Sequence, residues 1–92
     1  MPNRMLIADD TPEKLRVMHR AVLSAHPRGT LIDVATSAKQ ALQMIAAHGR
    51  DYDHALIDFD FPREDRNGED IVRALRQRNS RAFIDCVTAR PL

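Results

Sequence analysis

Residues 54–62, His-Ala-Leu-Ile-Asp-Phe-Asp-Phe-Pro, constrain the fold more than any other stretch of the sequence. Three consecutive apolar residues, 55–57, are too few for a helix with a buried face of its own. They are typical of a strand covered on both sides. Asp58 would then lie at the carboxyl end of a central parallel strand, the edge at which open α/β sheets bind ligands. The alternative is that Asp58 caps a helix or simply ends the strand.

Length and charge limit the class of protein. Ninety-two residues suffice for one small domain, so we expect residues 1–92 to fold as a unit with a thin core. The formal charge is only +1, from 14 basic and 13 acidic residues, whereas nucleic-acid binding needs clustered, uncompensated positive charge. The nearest approach to a cluster is predicted to be a solvated helix face, formed by Arg73, Arg76, Arg78 and Arg81. We therefore expect no nucleic-acid partner.

Hydropathy and cysteine content suggest the compartment. No apolar stretch approaches the ~20 residues of a membrane span, and the first residues do not form a secretory signal. The single Cys86 cannot form an internal disulfide and lies in an apolar run, which predicts a buried thiol in a reducing compartment. We expect a cytoplasmic protein with no membrane association.

The first part of the chain alternates strand and helix. An apolar run that ends in Asp9 and Asp10 predicts a first buried strand. Thr11 suits a helix N-cap and Pro12 the first helical position, and the apolar stripe of that helix would be Leu15, Met18 and Val22. Residues 30–35 are rich in apolar and β-branched side chains and predict a second strand.

The same alternation continues to the end of the chain. Thr36 or Ser37 can cap a second helix that Gly49 stops, and its apolar stripe would be Ala38, Ala41, Leu42 and Ile45. After the central strand, Asn67 can cap a third helix with the stripe Ile71, Val72 and Leu75. Residues 81–89 predict a fourth strand. The order βαβαβαβ indicates a doubly wound parallel sheet with about four strands and three helices.

Parallel strands place their carboxyl ends at one edge, so four groups from distant segments should converge: Asp9, Asp10, Asp58 and the Thr88 hydroxyl. Carboxylates packed without a counter-ion raise one another's pKa values. Mg²⁺ resolves this repulsion because it prefers oxygen ligands, commonly one or two carboxylates with phosphate oxygens. The alternative is that Asp9 and Asp10 form only a loop and N-cap pair.

Three motifs resemble the receiver domain of bacterial two-component response regulators. They are LIADD at residues 6–10, LIDFDFP at residues 56–62 with Gly68 opening the next helix, and VTA at residues 87–89. The resemblance covers nearly the whole chain and implies a flavodoxin-like fold.

The resemblance also implies roles for five residues. Asp58 would be the phospho-acceptor, Asp10 a direct Mg²⁺ ligand, Asp9 a ligand through water and Asp60 a ligand through its backbone carbonyl. The Thr88 hydroxyl would reach the phosphoryl group. The implied function is a Mg²⁺-dependent phosphorelay module, not an enzyme, with a histidine kinase or phosphotransfer protein as partner.

The chain departs from the family pattern at three places. The loop at residues 62–68 is two residues longer than usual, and Phe61 stands where Met is common. The sequence also ends where a full receiver continues with a fourth helix, a fifth strand carrying an active-site Lys, and a fifth helix. Lys14 and Lys39 lie in the first and second predicted helices, so we expect neither to replace that Lys.

A sheet truncated in this way leaves its fourth strand at an edge. Asp85 in mid-strand can protect such an edge against indiscriminate pairing, but apolar groups would remain exposed. We therefore expect a homo-oligomer, with its contact at Phe83, Ile84 and Val87 and residues 76–81 at the rim.

Three other interpretations remain open. The chain can be a pseudo-receiver that acts by protein binding without phosphorylation. Asp58 and Asp60 can be the nucleophile and acid pair of a haloacid-dehalogenase-like phosphatase, although that family's pair ends the first strand. The sequence can also be a fragment of a longer chain.

Overall fold

The computed structural model describes residues 3–25, 29–58, 61 and 67–87. Strands and helices alternate in the order β1 (Arg4–Ala8), α1 (Pro12–Ala25), β2 (Leu31–Ala35), α2 (Ala38–His48), β3 (His54–Asp58), α3 (Gly68–Arg78) and β4 (Phe83–Val87), with a 3₁₀ turn at Gly49–Asp51. All strand pairs are parallel and the sheet order is β2-β1-β3-β4. The predicted βαβαβαβ fold is therefore confirmed, with β1 and β3 in the interior of the sheet.

Each face of the sheet carries its own hydrophobic core. On one face the β1 side chains Met5 and Ile7 pack with the apolar stripe of α1, which is Leu15, Met18 and Val22 as predicted. On the other face Leu6 and Ala8 pack with α2, α3 and Phe61. Because successive side chains of a strand point to opposite faces, a run of buried residues in β1 requires helices on both sides.

Local capping fixes where α2 and α3 begin. Ser37 caps α2 by accepting a hydrogen bond from the Gln40 backbone N–H at 3.0 Å. Asn67 and Asp70 form a reciprocal capping box at the start of α3. Both caps fall on residues that the sequence marked as candidates. Gly49 follows the end of α2, also as predicted.

Two predictions from composition concern side chains at the surface: the arginines of residues 73–81 and Cys86. Arg73, Arg76, Arg78 and Arg81 are all exposed, which confirms that they are solvated, but Arg81 follows the end of α3, so only the first three belong to a helix. Cys86 is exposed as well, so the prediction of a buried thiol is wrong. Its strand β4 lies at an edge of the described sheet, beside β3 alone, and apolar neighbours in sequence do not cover a side chain there. In the described part of the chain, no helix is both long and apolar enough to cross a bilayer.

Candidate functional site

β1 and β3 carry two carboxylates to the same edge of the sheet. Ala8 is the register partner of Ile57, so the next residues along the two strands, Asp9 and Asp58, are neighbours. Asp10 follows Asp9 in the turn between β1 and α1. The register of the two interior strands therefore brings Asp9 and Asp58 together, as the sequence predicts.

The three acids form a tight group. One carboxylate oxygen from each of Asp9, Asp10 and Asp58 can be chosen so that all lie within 4.8 Å of one another. Asp9 and Asp58 are 0% and 1% exposed, and Asp10 is half-buried. Asp60 and Thr88, the other two predicted site residues, lie outside the described residues, so their placement stays a prediction.

Thr11 holds the two acids of the first turn in place. Its backbone N–H donates to Asp9 Oδ1 at 2.8 Å, which closes a turn of the kind that Asp favours. Its hydroxyl donates to Asp10 Oδ1 at 3.3 Å. Thr11, the residue before α1, therefore orients Asp10 as well as Asp9. Among the described residues, the second oxygen of Asp9, Oδ2, is buried and has no hydrogen-bond partner.

The environment of Asp9 disfavours its charged form. Burial raises the pKa of Asp9, and the neighbouring Asp58 carboxylate raises it further. The hydrogen bond from the Thr11 backbone and the charge of Lys14 act in the opposite direction without cancelling the increase. The fold thus places a carboxylate where its negative charge is costly unless a cation is bound.

The donor set fits a hard divalent cation. Mg²⁺ takes oxygen ligands and is commonly held by one or two carboxylates while it keeps several waters. Asp9 Oδ2 is a buried oxygen that lacks a donor among the described residues, and the carboxylates of Asp10 and Asp58 lie close enough to share an ion with it. A cation at this position would relieve the repulsion that raises the pKa of Asp9.

One cation of the protein itself reaches the site. Lys14 Nζ lies 3.7 Å from Asp58 Oδ2, so a place in the first helix does not keep Lys14 away from the site, and the expectation that neither lysine replaces the family's active-site Lys stays a prediction. A usable signal was present, since a helix that starts at Pro12, directly after the acid pair, holds its first turn near the same sheet edge.

Comparisons with known proteins show the fold. No family model and no curated protein sequence matches the chain. Among solved structures, a chain of the CheX–CheY–BeF3–Mg²⁺ complex from Borrelia burgdorferi aligns over 98% of this chain with a TM-score of 0.78 and 20% identity. A response regulator from Burkholderia pseudomallei with a phosphorylated aspartic acid, a calcium ion and citrate aligns over 97% with a TM-score of 0.77 and 18% identity.

A response regulator receiver domain protein from Clostridium thermocellum aligns over 94% of this chain with a TM-score of 0.73 and 20% identity. The chain spans 64%, 48% and 64% of the lengths of these three matched chains. It therefore has the fold of receiver domains over about half to two thirds of their length. Asp58 ends the third strand of the described part of the chain, whereas the acid pair of a dehalogenase-like phosphatase is expected at the end of the first.

Proposed function

We propose that this chain is a receiver-like signalling module that accepts a phosphoryl group on Asp58 with the help of Mg²⁺. The observation that carries the proposal is the convergence of Asp9, Asp10 and Asp58 at the carboxyl edge of a sheet with the receiver fold. That edge is where open α/β sheets bind their ligands. The phosphorylated aspartic acid of the Burkholderia pseudomallei neighbour supports the same chemistry here.

Asp9, Asp10 and Asp58 would hold the Mg²⁺ ion, together with the backbone carbonyl of Asp60. The bound ion would neutralise negative charge on the oxygens of the transferring phosphoryl group. Thr11 prepares the site for it, because its hydrogen bonds to Asp9 and Asp10 fix one oxygen of each carboxylate.

The Asp58 carboxylate is the nucleophile. One of its oxygens forms a bond to phosphorus while the bond from phosphorus to the leaving group of the donor breaks. The leaving group departs with the electron pair, and with acetyl phosphate that group is acetate, so no proton needs to move. We propose that the Thr88 hydroxyl then donates a hydrogen bond to the phosphoryl group. The chain is the acceptor in this transfer and not an enzyme with a free product.

We propose a histidine kinase or a phosphotransfer protein as the physiological donor. The complex of the Borrelia burgdorferi neighbour, which contains both CheX and CheY, supports a partner protein at this fold. We also propose the cytoplasm as the compartment, which the receiver fold supports. We also propose self-association through β4, whose Phe83 is 65% exposed.

Intact-mass spectrometry tests the proposed function. The wild-type chain, incubated with acetyl phosphate and MgCl₂, should gain the mass of one phosphoryl group, and Asp58→Asn should gain none. Asp51→Asn is the matched control, because Asp51 is an exposed acid that precedes β3 rather than following it. If the wild-type chain gains no mass and binds no beryllofluoride, the function is that of a pseudo-receiver that acts by protein binding.

A further inference from the structure

The ion pair between Lys14 and Asp58 connects α1 to the site. Lys14 Nζ lies 3.7 Å from Asp58 Oδ2, and the side chains of the two residues are 38% and 1% exposed. The pair therefore joins a buried carboxylate to an ammonium that keeps part of its contact with solvent. The positive charge of Lys14 also acts on Asp9, where it lowers the pKa, although burial is the larger effect and leaves the pKa of Asp9 raised.

The packing of α1 determines where Lys14 lies. The helix begins at Pro12, two residues after Asp10, and Lys14 is its third residue. Three side chains of the same helix, Leu15, Met18 and Val22, are buried in the core beneath the sheet. Because this core fixes the rotation of the helix, Lys14 is held beside the carboxyl ends of β1 and β3.

We propose that Lys14 is a cation that binds the phosphoryl group on Asp58, an inference that rests on the proposed function of the site. Before transfer its ammonium pairs with the Asp58 carboxylate. Phosphorylation raises the negative charge at this position from one to about 1.5 to 2 elementary charges. After transfer the ammonium pairs with a phosphoryl oxygen, which needs a movement of the flexible Lys side chain only. Lys suits this role because it is a point charge on a flexible stem.

The same charge has opposite effects on the two ligands of the site. An ammonium beside Asp58 attracts the phosphoryl group and repels a divalent cation held by the same carboxylate. Loss of the Lys14 charge should therefore slow phosphorylation and tighten Mg²⁺ binding. A residue that only maintained the shape of the site would weaken both when substituted, so the opposite signs distinguish the two roles.

Four variants of the full chain test this inference. Lys14→Met removes the charge with little change in length, Lys14→Gln removes it with a polar group, and Lys14→Arg keeps it. Arg20→Met is the matched control, because it removes one positive charge from an exposed position on the same helix. Phosphorylation by acetyl phosphate is followed by intact mass, and Mg²⁺ affinity by NMR titration in the absence of donor.

We expect Lys14→Met and Lys14→Gln to form the phosphorylated species about tenfold more slowly than wild type. This is less than the loss of roughly a hundredfold or more for a fully buried donor, because Lys14 is partly exposed. Both variants should bind Mg²⁺ more tightly. Lys14→Arg should retain most of the rate, and Arg20→Met should match wild type in both measurements.

Three results would overturn the inference. Equal phosphorylation rates for wild type, Lys14→Met and Lys14→Gln would exclude Lys14 and leave the proposed function intact. Weaker binding of both Mg²⁺ and the phosphoryl group in the two neutral variants would assign Lys14 a structural role. A wild-type chain that is not phosphorylated would overturn the proposed function itself, and this inference with it.

Discussion

At the scale of single residues, the site holds carboxylates closer together than their charges favour. Asp9 is fully buried, its Oδ2 has no hydrogen-bond partner within the described residues, and its pKa is raised by burial and by Asp58. The pKa of Asp9 is higher in the folded protein than in the unfolded chain, so the folded protein binds the proton more tightly. The stability that this proton provides is present at low pH and is lost as the pH rises through the folded pKa. Above the folded pKa, therefore, Asp9 carries a charge that its surroundings disfavour.

The variant Asp9→Asn should be more stable than wild type when no divalent ion is present. The amide keeps an oxygen to accept from the Thr11 backbone and removes the unfavourable charge, for a gain of about 1 kcal/mol in the free energy of unfolding. Urea denaturation at pH 7 in EDTA measures the difference, with Asp51→Asn as control. Added MgCl₂ should stabilise wild type and leave Asp9→Asn nearly unchanged. A less stable Asp9→Asn in EDTA would contradict this account of the buried charge.

A second carboxylate, Asp33, shows the opposite behaviour. Burial raises the pKa of Asp33, but hydrogen bonds from Arg4 and from the Tyr52 hydroxyl, at 2.9 and 2.7 Å, outweigh burial and leave the pKa lowered. A carboxylate with a lowered pKa stabilises the folded protein at pH values above its unfolded pKa, ordinarily 3.8. This stabilisation is lost as the pH falls through the pKa of the folded state.

The variant Tyr52→Phe tests this network. Loss of the hydroxyl should lower the free energy of unfolding at pH 7 by about 1 kcal/mol, since one hydrogen bond to a charged group disappears. The loss should shrink as the pH falls through the folded pKa of Asp33, which is lowered from 3.8, because protonation of the folded carboxyl weakens its bond with the hydroxyl. Urea denaturation at several pH values gives both quantities. A pH-independent loss would assign the effect to the unfilled space that the missing hydroxyl leaves, since Tyr52 is 1% exposed.

At the scale of secondary-structure elements, the start of α3 is defined by its capping box. Asn67 accepts a hydrogen bond from the Asp70 backbone N–H at 3.2 Å, and Asp70 accepts one from the Asn67 backbone N–H at 2.9 Å. Asn67→Ala should cost about 1 kcal/mol in the free energy of unfolding. Glu69→Gln is the control on the same helix, because its exposed pair with Arg73 contributes at most about 0.5 kcal/mol. Similar losses for the two variants would show that the cap is not significant.

The elements were predictable from sequence because their signals are local. Apolar runs of strand length, caps such as Ser37 and Asn67, and the stripe of α1 each lie within a few residues. The convergence of Asp9 with Asp58 was also predictable, since parallel strands share a carboxyl edge. The exposure of Cys86 follows from the predicted edge position of β4, and a helix that starts at Pro12 holds its first turn near the acids. The contact of Lys14 with Asp58 itself depends on the rotation of that helix, which no local signal fixes.

At the scale of the whole molecule, β4 has one neighbouring strand in the described sheet. Phe83 on this strand is 65% exposed and contacts the His54 ring edge to face, with 5.2 Å between ring centroids. The Asp85 carboxylate, two residues further, lies within hydrogen-bond distance of His54, with 2.9 Å between Asp85 Oδ2 and His54 Nε2. The aromatic surface at Phe83 is thus framed by polar groups, an arrangement that suits a contact between copies of the chain.

Sedimentation equilibrium at micromolar concentration should therefore give a dimer or larger species. Phe83→Asp should dissociate it, because a charge would be buried in the contact. Leu31→Asp is the matched control, since Leu31 is 50% exposed on β2, the opposite edge of the described sheet. A folded wild-type monomer, or equal dissociation by both variants, would argue against a contact through β4.

The central claim is that Asp58 is the residue that receives the phosphoryl group. Borohydride reduces an aspartyl phosphate and leaves homoserine at the modified position, so tandem mass spectrometry after acetyl phosphate, MgCl₂ and borohydride locates the acceptor directly. We expect homoserine at position 58, dependent on both the donor and Mg²⁺, and none at positions 9 and 10. Homoserine at another acid, or none at any position in a chain that has gained phosphoryl mass, would contradict the claim.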